Sequence, residues 1–115
     1  MRRGEVRLVD FDPVQGSEAN ERRPAVVVGN DQANAVAERL GRGVVTLVPV
    51  TSNTARVFPF QVLLAAQDTG LHVDSEAEAE QVRAVSVDRL GSALGRLPFA
   101  ALDALDDALR LHLAL

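Results

Sequence analysis

The chain has 115 residues, 47% of them hydrophobic and 24% charged, with a net charge of −4. That length suits one compact domain with a single core, and the absence of cysteine removes any disulfide framework or thiolate metal site. No apolar run reaches membrane-spanning length and none follows the arginines at the start, which predicts a cytoplasmic protein.

In chain order, residues 4–11 read as a first strand with Val6 and Leu8 on one face, stopped by Asp12-Pro13 because proline cannot donate to a ladder. A polar loop, residues 12–23, leads into a second strand over 24–29. Its run Val26-Val27-Val28 does not alternate with polar residues, a pattern of burial on both faces. Asn30 or Asp31 caps a short helix whose Ala33, Val36, Ala37 and Leu40 recur at helical spacing, with Gly41 past its end. A third strand spans 44–50, with Pro49 at its end, at an edge or in a bulge. The polar cluster Thr51-Ser52-Asn53-Thr54 follows, then Phe58-Pro59-Phe60 and a fourth strand through Ala65. Residues 67–75 read as loop around Gly70. Residues 76–85 are ambiguous: Glu and Ala favour helix by propensity, whereas strict alternation up to Val82 favours strand. The β-rich context predicts strand. Asp88-Arg89-Leu90 reads as a helical turn and residues 93–97 as a short last strand. Pro98 opens a terminal helix with the stripe Phe99, Leu102, Leu105, Leu109 and Leu113, and with Asp106 and Arg110 one turn apart. Short strands, turns and a closing helix predict a mixed α+β fold built on a small, strongly bent β-barrel.

The chemistry available is narrow. All 12 basic residues are arginine, so every cation is a planar fork suited to phosphate. Net acidity argues against a nucleic-acid partner. However, residues 1–58 carry about +1 and residues 59–115 about −5, which leaves room for a local basic groove. The two histidines, His72 and His112, are forty residues apart. No triad or glycine-rich phosphate motif surrounds them. What remains is the loop holding Ser17, Glu18, Arg22 and Arg23 at the mouth of the second strand, with the cluster after the third. RNA carries its own nucleophile, the 2′-OH. A protein needs only to take that proton, neutralise the phosphorane and protonate the leaving 5′ oxygen, without a metal or other cofactor. An arginine suits the second task, a carboxylate such as Glu18 the first, and a threonine hydroxyl such as Thr51 can orient the phosphate. A purely structural alternative stands beside this: Glu18 and Glu21 as solvated partners of Arg22 and Arg23, and Thr51 as a strand end.

These residues resemble the MazF/PemK (Kid) family of toxin endoribonucleases. The match runs through Arg3-Gly4-Glu5-Val6 with Asp10-Phe11-Asp12-Pro13, Gly16-Ser17-Glu18 through Arg23-Pro24-Ala25-Val26-Val27-Val28, and Pro49-Val50-Thr51-Ser52-Asn53 with Phe58-Pro59-Phe60-Gln61-Val62. It continues through Asp74-Ser75 to Glu80-Gln81-Val82-Arg83-Ala84-Val85 and into the Leu-rich end. The resemblance implies an SH3-like barrel with a C-terminal helix, PemK/MazF/CcdB-like, working as a homodimer. It implies metal-independent cleavage of single-stranded RNA to 2′,3′-cyclic phosphate and 5′-OH ends, and a cognate antitoxin whose acidic tail occupies the RNA groove. Arg23 matches the family's catalytic arginine, Thr51 its catalytic threonine, and Ser17 and Glu18 the loop that completes the site. Gln81 and Arg83 match a polar pair that touches either RNA or the dimer partner. Ser52, Asn53, Arg22, Arg56 and Phe58 are the expected base or backbone contacts. Two departures stand out: Val6-Arg7-Leu8 where the family often has aromatics, and Glu76-Ala77-Glu78-Ala79 where it has apolar residues. A CcdB-like gyrase poison is the alternative toxin of this fold, but its tryptophan-bearing tail is missing. A barrel acting only as a protein-binding module is a third reading.

Overall fold

The computed structural model describes residues 1–12 and 21–115. Seven antiparallel strands, β1 (Glu5–Asp12), β2 (Glu21–Val27), β3 (Val44–Thr51), β4 (Gln61–Leu64), β5 (Ser75–Glu78), β6 (Arg83–Ser86) and β7 (Leu90–Arg96), join in the order β4-β5-β3-β2-β1-β7. β6 sits beside the first half of β3. Three helices decorate the sheet: α1 (Asp31–Leu40), α2 (Ala66–Thr69) and α3 (Phe99–Leu113).

The central strand β2 carries the logic of the core. Ala25, Val26 and Val27 are fully buried and Val28 nearly so, because hydrophobic clusters lie on both sides of the sheet. Val26 and Val28 pack with Val6, Val48, Val50, Leu64 and Leu105. Ala25 and Val27 pack with Val9, Phe11, Val45, Leu47 and Val85. The non-alternating run in the sequence thus reports two cores.

β3 changes partner along its length. Residues Val44 to Leu47 pair with β6, and Val50 and Thr51 pair with β5. Pro49 sits at the step between the two, so the strand can bend where a ladder donor is missing. This bend ends at Thr51, on the rim.

Several sequence expectations need correction. Val6 is buried but Leu8 is half-exposed and Val9 takes the inward position. Val6 and Val9 are an odd number of residues apart and so face opposite sides of β1, Val6 entering one core and Val9 the other. Residues 76–85 are not one strand: β5 ends at Glu78, a 3-10 turn covers Ala79–Gln81, and β6 begins at Arg83. The stretch 67–75 includes the end of α2, capped by Gly70 in the left-handed region.

α1 has the predicted limits, with Asn30 Oδ1 accepting from the Ala33 amide at 2.8 Å and Gly41 closing it at φ 65°. Its apolar face is mostly not core, however. Only Ala37 of the four predicted residues is buried, while Leu40 is 53% exposed. In α3, Leu105 and Ala108 are buried but Phe99 is 83% and Leu113 49% exposed. Asp106 does not pair with Arg110: it meets Arg3 at 2.5 Å, tying α3 to the start of the chain, and Arg110 turns to Asp107 instead. No helix among the described residues is long and apolar enough to cross a membrane.

Candidate functional site

Register builds the site before any side chain is considered. β2 and β3 pair Ala25 with Pro49, and continuing that ladder by two residues brings Arg23 opposite Thr51. β3 and β5 pair Thr51 with Glu76. Residues directly opposite in antiparallel strands share a face, so Arg23, Thr51 and Glu76 form a row across three strands, with Glu78 two residues along β5 on that same face.

Arg23, Pro24, Val50, Thr51 and Ser52 line a cleft of about 390 Å3. Among the described residues the Arg23 guanidinium is held through one nitrogen. Its Nη2 donates to Glu78 Oε1 at 3.2 Å and, more weakly, to the Val50 carbonyl at 3.4 Å. Among the described residues Arg23 thus pairs with a carboxylate of β5, whereas Glu18, a loop acid of the structural alternative, lies outside the described residues. Thr51 Oγ1 accepts the Asn53 amide at 3.2 Å, and Asn53 Oδ1 accepts the Ala55 amide at 3.3 Å. The cluster 51–54 thus folds back on its own backbone, which fixes the hydroxyl at the rim.

Behind Arg23 lies a concentration of negative charge that the sequence reading treated only as a departure from the family. Glu76 is buried and its Oε2 has no hydrogen-bond partner. Burial, then the neighbouring Glu78 and Glu80, push its carboxyl above the ordinary value of 4.5. Glu80 accepts from Gln61 Nε2 at 2.6 Å. Gln81 Nε2 donates to Glu78 Oε2 at 3.2 Å, so Glu78 is held by one oxygen from each side. The signal that could have singled out Glu78 is the Glu-Ala-Glu alternation itself, which sets two carboxylates on one face of a strand.

The other candidates disperse. Arg56 lies over the Phe58 ring at 5.7 Å, and Phe58 stacks on Phe60 with centroids 5.4 Å apart. This makes a partly exposed aromatic–cation platform after β3. His112 reaches the edge of this group, tilted against Phe60 at 6.4 Å, while His72 is exposed in a loop. Arg22, next to Arg23 on a strand and so on the opposite face, lines a separate polar cleft with Asp10, Asp88 and Arg89. Arg83, opposite Leu47 on the face that carries the row, covers the Phe11 ring at 5.1 Å. Ser17 and Glu18 lie outside the described residues.

The chain matches, over residues 2–113, the family described as PemK-like, MazF-like toxin of type II toxin-antitoxin system. It is 63% identical over 115 residues to the endoribonuclease MazF9 of Mycobacterium tuberculosis, covering 100% of this chain and 98% of that protein. It is also 31% identical over 115 residues to the endoribonuclease EndoA of Bacillus subtilis, covering 100% and 96%. A MazE–MazF crystal structure from Deinococcus radiodurans superposes with a TM-score of 0.80 at 27% identity, covering 100% of this chain and 96% of that one. The chain belongs to the PemK-like, MazF-like toxins of type II toxin–antitoxin systems, and at this level of identity it shares the endoribonuclease class of its relatives.

Proposed function

We propose that this endoribonuclease toxin cuts single-stranded RNA, mRNA foremost, at short sequences by attack of the 2′-OH on its own phosphorus, without a metal. The observation that carries this reading is one cleft lined by both the Arg23 guanidinium and the Thr51 hydroxyl at a strand rim. As the 2′ oxygen bonds to phosphorus and the bond to the 5′ oxygen breaks, negative charge collects on the non-bridging oxygens. The Arg23 N–H groups meet that charge and stay charged throughout, because a guanidinium is not deprotonated near neutral pH. Thr51 hydrogen-bonds the phosphate. Glu18, in the loop ahead of β2, takes the 2′-OH proton, while an Arg23 N–H hydrogen-bonds the leaving 5′ oxygen, which takes its proton from solvent water. The products are a 2′,3′-cyclic phosphate and a 5′-OH.

Ser17, Ser52 and Asn53 contact the RNA at the rim, with Arg22, Arg56 and Phe58 as stacking or backbone contacts. The Arg56–Phe58–Phe60 platform supports that role, since aromatic faces stack on unpaired bases of any sequence. The toxin acts in the cytoplasm as a homodimer and is silenced by an acidic, MazE-like antitoxin. The mycobacterial and Deinococcus structures that pair an endoribonuclease or MazF with its antitoxin support this last point.

The test is end-mapping of a long mixed-sequence RNA incubated with the parent and with Arg23→Ala in EDTA. Expected are discrete 5′-OH cuts by the parent and a loss of at least about 100-fold in rate for the variant, the scale of removing one charge-stabilising donor, with a nearly unchanged melting temperature. Metal-dependent cutting, or equal cutting by both proteins, overturns the mechanism.

A further inference from the structure

The contacts of Arg23 are unevenly placed on the guanidinium. An oxyanion grips arginine by a fork, either side-on through Nε and Nη2 or end-on through Nη1 and Nη2. Nη2 is common to both. In the empty site Nη2 is the nitrogen that Glu78 Oε1 and the Val50 carbonyl hold, at 3.2 and 3.4 Å. Nη2 carries two N–H groups, so the Glu78 contact takes one of them, and a scissile phosphate gains a full fork only by displacing Glu78 or the weaker Val50 carbonyl contact.

Glu78 is well placed to hold that position. Its side chain is only 14% exposed against 37% for Arg23. Its second oxygen is kept in orientation by Gln81 Nε2 at 3.2 Å. It belongs to β5, whose ladder to β3 sets Glu76 beside Thr51, so the carboxylate is fixed by the same sheet that fixes the site.

We propose that Glu78 is an internal competitor for the RNA phosphate, a carboxylate that occupies the shared fork nitrogen of Arg23 and thereby sets how tightly the enzyme holds its substrate. The proposal rests on Arg23 being the phosphate-binding residue. Gln81 is then a positioning residue, which acts on RNA through the orientation of Glu78 and not by touching a base. Binding proceeds by exchange: the phosphate displaces one oxyanion from Nη2, and Glu78 keeps its hydrogen bond to Gln81. The exchange raises KM and the dissociation constant relative to a free arginine, and leaves the chemical step to the same guanidinium.

The experiment measures the affinity of a short RNA whose cleavage site carries 2′-deoxyribose, for the parent, Glu78→Gln, Arg23→Ala and the double variant, alongside kcat and KM on cleavable RNA. Glu78→Gln keeps the shape and the Gln81 contact but loses the charge. It should bind about fivefold more tightly, the worth of a partly exposed ion pair, with KM falling and kcat changing less. That gain should disappear in the Arg23→Ala background, because the competition acts through Arg23 alone. Unchanged or weaker binding by Glu78→Gln overturns the proposal. An equal gain in both backgrounds also overturns it, by reducing Glu78 to general repulsion of the RNA. Parent and Arg23→Ala cleaving and binding alike would remove the underlying reading of the site and the proposal with it, a result distinct from the other two. Melting curves accompany each variant, and Glu78→Ala, held to the same expectations, replaces Glu78→Gln if the latter melts early.

Discussion

At the scale of the residue, Glu76 is the group whose environment is least satisfied. It lies buried opposite Thr51, with one oxygen unpartnered and two carboxylates nearby. Burial first, then those neighbours, raise its pKa in the folded chain above the ordinary 4.5. The sign follows from linkage: an acid with a raised folded-state pKa costs nothing below its unfolded value, and its cost grows as pH climbs through the folded value. Glu76→Gln should therefore raise the melting temperature by a few degrees at neutral pH, with the gain vanishing near about pH 4. A gain that persists in acid, measured by thermal melts across pH, would trace the effect to packing instead of charge. The sequence hid this residue because propensity and alternation speak of secondary structure and not of which face is sealed. Arg23 and Thr51 stood out, since one precedes a strand signal and the other follows one, and a guanidinium and a hydroxyl both suit a phosphate. The partner of Arg23 was not, because a contact across 55 residues leaves no local trace.

Among the elements, α2 and β7 meet through bare backbone. A Cβ on Gly95 would lie 2.2 Å from the Thr69 carbonyl oxygen, and one on Gly70 would lie 2.0 Å from that of Leu94. Gly70 also needs the left-handed conformation, at φ 80°. Gly95→Ala is thus expected to cost about 2–3 kcal/mol by forcing the two segments apart, read as a lower midpoint in urea with an unchanged slope. Gly41→Ala, which meets nothing within 4 Å, should cost less, through its positive φ alone. The elements most readable in the sequence were those with punctuation at both ends. α1 has Asn30 and Gly41, α3 has Pro98 before it, and β2 has a run too apolar to be anything but central. Residues 76–85 were misread as continuous because a 3-10 turn of Ala79, Glu80 and Gln81 breaks no alternation that the eye can follow. Helical spacing also overstated the buried faces of α1 and α3, because periodicity says which residues align and not whether anything covers them.

For the whole molecule, the exposed leucines at one end matter most. Leu111, Leu113 and Leu115 of the last turn and Leu63 on β4 are each about half or more exposed, more apolar surface than a solvated helix end needs. Pairing of two copies is part of the proposed function, and equilibrium sedimentation at micromolar concentration should return twice the 12.3 kDa chain mass. A monomer that still cuts RNA would remove the homodimer from the proposed function. The ladder that sets Arg23, Thr51 and Glu76 in one row carries a last consequence. The three come from β2, β3 and β5, so the chain is more than half made before the row can close, and β1 still waits for β7 to cover its far edge. Local contacts alone cannot assemble such a site. During synthesis, a chain that stops short of β5 can pair Arg23 with Thr51 through β2 and β3, but it has neither Glu76 nor Glu78 beside them. Until β5 is built, the Val50 carbonyl is the one contact of the Arg23 Nη2 among the described residues, and the carboxylate that holds it in the finished fold is still to come.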